Sequence, residues 1–562
     1  LGTDSTNLWI LNGSGGGSVG SITFSAIETL TGGSLVDTFD VRGPDARDRT
    51  LNGGGGDDLL LLDFTSNRDV IGVTAGLVTH QGFGRTIYSD IEILDLQTLG
   101  GDDAVTLTPA VSGFPADVTL ESGADDDQIT INLVVGASVT IDVDGGAPSA
   151  SDTVTLNGTA GDDVIAVRGA NATFSDMFMS FSAVENLTIA GGDGMDSLTY
   201  SGEAFPGDVI LRGQGQDDVI MLEVPLTAGS INAEGGTGTG DRLFVDTADV
   251  DETIGLSANE ITISGQTPLG YSGFEFLDLD TGDGVDNVTV TNTHGGTTNL
   301  FTGDGDDIVV LEDTSGLVLI ETGVGGDVLS VRGISSRVEA NLGTGANTVS
   351  VSSDAPANAG NLQGIGGDLV LSADEGAPDD LYISNFGDAA DRSGTLDELS
   401  LSGLGMGGVI SYFGFENLDI TLGGGVDTFE VAATHRGDTV VRSGEGDDVI
   451  TVTNIVGETL LETGLGADII NVSLNPVQGE VFFTPDEPDA EPPPYFLELL
   501  TVDGGENGAG VDVMNVVSSD DVPESGRLTE NLITGLNTQS GIAYFDLEIL
   551  NIALSATASE FV

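Results

Sequence analysis

The sequence predicts an all-β fold, an elongated parallel solenoid of the β-helix or β-roll kind with rungs of about 20–22 residues. Three observations predict it. Corners of the form Gly-x-Gly-x-Asp recur at a nearly constant step. Each corner is followed by a run in which apolar residues alternate with polar ones. No stretch combines a helix cap with a 3.6-residue period.

The clearest run is 281–351, which reads TGDGVDNVTV, TGDGDDIVVL, TGVGGDVLSV and LGTGANTVSV at its corners. The opening glycines Gly282, Gly303, Gly323 and Gly343 are spaced by 21, 20 and 20 residues. Paired glycines let the backbone take positive φ twice in quick succession, as a tight corner requires. The corners close on Asp286, Asp307, Asp327 and Asn347. The strands that follow bury one face through Val288 and Val290, Val309 and Leu311, Leu329 and Val331, and Val349 and Val351. Rungs stacked at about 4.8 Å would bring the corner carboxylates into a column.

Such a column repels itself unless cations enter it, and an all-oxygen ligand set selects Ca²⁺. The candidate metal ligands are Asp283, Asp286, Asp304, Asp307 and Asp327, then Asp427, Asp448 and Asp468 in the last third. Carbonyls of the corner glycines would complete the shell. The alternative is that the aspartates shape the corner by bonding to backbone.

Corners of the same kind occupy 53–62, 99–107, 122–131, 160–167, 191–200 and 213–222, and return at 422–431, 443–452 and 463–472. The motif Gly-x-Gly-x-Asp-x-apolar resembles the nonapeptide of the repeats-in-toxin (RTX) family, in which adjacent turns share calcium ions. That family repeats the motif every nine residues, whereas here one corner falls in each rung of about twenty. The resemblance therefore covers the corner alone.

A longer motif, aromatic-x-x-apolar-Glu-x-Leu-x-apolar, occurs at Phe24–Leu30, Tyr88–Leu96, Phe181–Ile189, Tyr271–Leu279, Tyr412–Ile420 and Tyr544–Ile552. Its glutamates are Glu28, Glu92, Glu185, Glu275, Glu416 and Glu548. They divide one continuous solenoid into superblocks at 1–92, 93–185, 186–275, 276–416 and 417–562. The glutamate either points outward, as alternation with apolar neighbours favours, or accepts a backbone or arginine hydrogen bond. The aromatic residue reads as core. This motif resembles repeat units of very large, acidic, secreted bacterial proteins that act as adhesins or surface layers.

Irregular loops interrupt the pattern at 354–398. An acidic proline-rich insertion, PDEPDAEPPP, does so at 485–494, where proline cannot donate to a ladder. The first and last residues resemble internal repeat segments, which points to head-to-tail association or to continuation in a longer polypeptide.

The formal net charge is −77, with 14 basic residues, all arginine, against 91 acidic ones. Nucleic acid and anionic membrane surfaces are excluded as partners by repulsion, and no apolar run is long enough to insert in a membrane as a helix. Without cysteine there is neither a disulfide framework nor a thiolate site. The three histidines, His80, His294 and His435, are scattered, so no catalytic residues and no enzyme activity are expected. The sequence thus reads as an extracellular or cell-surface repeat protein, stabilised by Ca²⁺, that contributes to a filament, surface layer or adhesin. A carbohydrate-active β-helix enzyme, hydrolase or lyase, is the main alternative. A non-catalytic adhesin that binds cell-surface glycans through the 354–398 and 485–494 loops is the other.

Overall fold

Along most strands of the computed structural model, every second side chain is buried. Thr297–Phe301, Ile308–Leu311 and Leu317–Glu321 alternate in this way, with Leu300, Val309, Leu311, Val318 and Ile320 at 1% exposure or less. β-Branched and leucine residues at period two give each strand one apolar face, and two such faces make the core. Residues 2, 4–13, 15–146, 151–201, 205, 207–374, 376–474, 497–505, 510–518, 525–536, 538–554 and 560–562 are described. The proline-rich insertion lies outside them.

The fold is all-β and solenoidal. A rung consists of two strands, one in each of two facing sheets, and successive rungs pair in parallel and in register. Thus Asn287–Val290, Ile308–Leu311, Val328–Val331 and Thr348–Val351 follow one another in one sheet. Thr297–Phe301, Leu317–Glu321 and Val338–Asn341 do so in the other. The Gly/Asp corner joins the two strands on one side of the rung and a plainer loop joins them on the other. One corner per rung, as the spacing implies, is what the chain builds.

The chain forms two compact units, residues 1–248 with 259–279, and residues 249–258 with 280–562. In each, three-stranded antiparallel meanders interrupt the parallel pairing. One unit holds meanders that begin at Asn7–Asn12, Val70–Thr74 and Val164–Arg168. The other holds meanders that begin at Ser393–Asp397 and Ser525–Leu528.

The meander at 393–413 shows how one is inserted. Ile410–Phe413 pairs in parallel with the earlier strand Leu369–Ser372, while Ser393–Asp397 pairs with the later strand Thr428–Val431. Ser400–Gly403 runs antiparallel between them. In the facing sheet Asp380–Ser384 pairs directly with Asn417–Thr421. The chain therefore jumps ahead in one sheet, returns, and resumes winding with its Gly/Asp corner on the opposite edge. The unequal spacing of the six glutamates includes these meanders as well as whole rungs.

Candidate functional site

The corner aspartates form ladders. In 281–379, the backbone N–H of each closing residue donates to the side-chain oxygen of the next. Asp286 donates to Asp307 Oδ1 (2.8 Å), Asp307 to Asp327 Oδ1 (3.0 Å), Asp327 to Asn347 Oδ1 (2.9 Å) and Asn347 to Asp379 Oδ1 (2.7 Å). These residues are buried, at 0–1% exposure. A second ladder in the same unit runs Arg392, Asp427, Asp448, Asp468, Asp512. The other unit has three, through Asn7, Asp37 and Asp58; through Asp69, Asp103, Asp127 and Asp152; and through Asp163, Asp196, Asp218 and Asp241.

Each ladder ends on a glutamate of the long motif. Asp58, Asp152, Asp241, Asp379 and Asp512 donate their N–H to an Oε2 of Glu92, Glu185, Glu275, Glu416 and Glu548, at 2.8–2.9 Å. In four of these the glutamate N–H returns a bond to the carbonyl of the same aspartate, which closes a ring. The outward orientation that alternation favours is therefore corrected. These glutamates point along the stack because the ladder's last N–H needs an acceptor and no Gly/Asp corner follows to supply one. Glu28 is exposed.

The same motif fixes the turn that delivers the glutamate. Its third residue is left-handed in all six copies, at Ala26, Asp90, Ala183, Gly273, Gly414 and Asp546. Tyr88, Phe181, Tyr271 and Tyr412 are buried, as expected of core residues. Tyrosine hydroxyls also tie the meander together. Tyr88, Tyr412 and Tyr544 donate to the carbonyls of Thr74, Asp397 and Thr529, some fifteen residues upstream on the meander's first strand or just past it.

A second carboxylate often stands just before the ladder residue, and its bond runs in the opposite direction. Asp102, Asp162, Asp217, Asp306 and Asp447 accept the N–H of Asp126, Met195, Thr239, Gly326 and Ala467 in the following rung. Asp-Asp corners therefore clamp consecutive rungs in both directions. The repeated Asp-Asp dipeptide was the sequence signal for this, and single-rung reasoning missed it.

Close packing explains the glycine five residues before many ladder aspartates. A Cβ on Gly213 would overlap Asp218 Oδ2 and the Gly235 carbonyl, and one on Gly191 would overlap Asp196 Oδ2. Where the position holds Thr or Ser, its hydroxyl lies there instead, as Thr322 does in donating to Asp327 Oδ2 (2.5 Å). Burial pushes the Asp103 and Asp196 carboxyls up to about 6, and those of Asp127 and Asp218 up to about 7. The Oδ2 atoms of these four are buried without a hydrogen-bond partner. Thr98 and Ser122, beside Asp103 and Asp127, spend their hydroxyl protons on carbonyls.

Of the eight candidate calcium ligands, Asp286, Asp307, Asp327, Asp427, Asp448 and Asp468 are in the ladders, with Oδ1 already held by a backbone N–H. Asp283 and Asp304 are exposed on the outer side of their corners, where Asp283 Oδ1 accepts the Asp304 N–H (3.2 Å). Among the described residues no group of three His, Cys, Asp or Glu side chains converges as a metal shell would.

The histidines are separately seated. His80 bonds to Asp69, while His294 and His435 pair with Thr298 and Thr439 within their own turns. No protein-family model matches the chain, and no curated protein is similar to it.

Proposed function

We propose that the chain is a structural repeat segment that works outside the cell or at its surface, in a filament, surface layer or adhesin, and that it has no enzymatic activity. The observation that carries the reading is Asn347. It occupies a ladder position, accepts the Asp327 N–H through its amide oxygen and passes its own N–H to Asp379. A neutral acceptor thus does the ladder's work, so the corners serve to connect rungs through the backbone. Their ladder oxygens each accept a backbone N–H, so joining one rung to the next needs no ion. Ca²⁺ belongs to the exposed outer carboxylates such as Asp283 and Asp304, where it screens charge as a counterion.

Two assays test the role. Antibodies against the chain are expected to label intact producing cells, and the purified protein is expected to release no reducing ends from a panel of neutral and acidic polysaccharides. Turnover of any of them would favour the β-helix enzyme instead. Labelling seen only after lysis would overturn the surface assignment.

A further inference from the structure

Among the described residues one arginine is buried. Arg49, on the strand Arg49–Asn52, is 8% exposed. Its nearest carboxylate oxygen, Asp45 Oδ2, is 3.9 Å from Nη2, beyond hydrogen-bond reach, and Nη1 is buried with no partner. The other ion-paired arginines hold an acidic oxygen at 3.3 Å or closer. In a chain with 91 acidic residues, a buried guanidinium without a bonded carboxylate is conspicuous.

A cavity of about 20 Å³ adjoins it, and His80, also 8% exposed, forms part of the same wall. The ring is fixed on three sides. Nε2 bonds to Asp69 Oδ1 (2.7 Å), Phe83 stacks on one face at 4.4 Å, and Phe64 meets the ring edge-on at 5.2 Å. Asp69 is itself held by the N–H and hydroxyl of Thr65. The remaining nitrogen, His80 Nδ1, is buried with no partner. Two residues that line one small cavity thus each have a buried nitrogen without a protein partner.

We propose that this cavity binds a single inorganic anion of chloride size, held by Arg49 Nη1 beside His80. A guanidinium taken out of water is costly unless its donors are used. His80 lines the same cavity, and its Nδ1 has no protein partner. The space accommodates a halide and excludes sulfate or phosphate, since one water needs roughly 10–15 Å³ by this measure. Asp45 and Asp63 also lie on the wall. Asp45 accepts the Arg47 backbone N–H (3.3 Å).

The test is a bromide experiment on the unaltered chain. Crystals grown with bromide in place of chloride are expected to show an anomalous peak between Arg49 and His80. Density there without anomalous signal would mean a water and would overturn the proposal. In solution, raising chloride against gluconate at constant ionic strength is expected to raise the melting temperature of the wild type, to do so weakly in Arg49→Lys, and not at all in Arg49→Gln. Equal shifts in all three would overturn it too.

Discussion

Asn347 separates two roles that an acidic corner residue can have, a charge for a cation and an acceptor for a backbone N–H. If the second role dominates, Asp307→Asn keeps the fold, because an amide oxygen can take the Asp286 N–H. Asp307→Ala leaves that N–H buried without an acceptor, which costs about 1–3 kcal/mol. Paired thermal melts of the two variants check this, and equal losses would contradict it.

The same residue scale sets the pH response. The folded-state pKa values of Asp103, Asp127, Asp196 and Asp218 lie above the unfolded value near 3.9. Between these limits the folded chain binds more protons than the unfolded one, so stability falls as pH rises from about 4 through 6–7 and levels off above. Denaturant midpoints measured from pH 4 to 8 are expected to decline in that window. A rise would show that the buried carboxylates are ionised and compensated. Gly213→Ala is expected to destabilise by more than about 2 kcal/mol, since its Cβ meets both a carboxylate and a carbonyl.

At the scale of elements, the glutamate is what allows a ladder to stop. Glu185 takes the last N–H of its ladder while the corner moves to the other edge. Glu185→Gln should be tolerated, and Glu185→Ala should cost about 1–3 kcal/mol. Hydrogen exchange at the Asp152 amide is expected to accelerate in the alanine variant alone.

The solenoid itself was legible in the sequence, because period-two burial and glycine-paired corners are local properties. The ladder cap was not. Glu185 alternates with apolar neighbours just as an outward residue would, and its partner lies 33 residues upstream. The meanders were hidden for a related reason. Leu77–His80 and Ser400–Gly403 share the burial rhythm of the parallel strands, so nothing in the spacing marks their reversed direction. The backbone N–H partners of the corner carboxylates were hidden as well, because they become visible only once rungs are stacked.

For the whole molecule, a net charge of −77 makes self-repulsion the main long-range term. Monovalent salt should therefore raise the melting temperature between about 0.01 and 0.15 M, as the Debye length shrinks from roughly 30 to 8 Å. Divalent ions should act in the same way at lower concentration, through exposed carboxylates. The most direct test of the ladder account is a melt followed by circular dichroism at constant ionic strength, with and without EGTA, alongside a count of bound calcium. The ladder account predicts a chain that stays folded in EGTA, with its β-signal retained and only a small drop in melting temperature. Loss of the fold in EGTA, with several tightly bound ions per chain recovered on adding calcium, would contradict it.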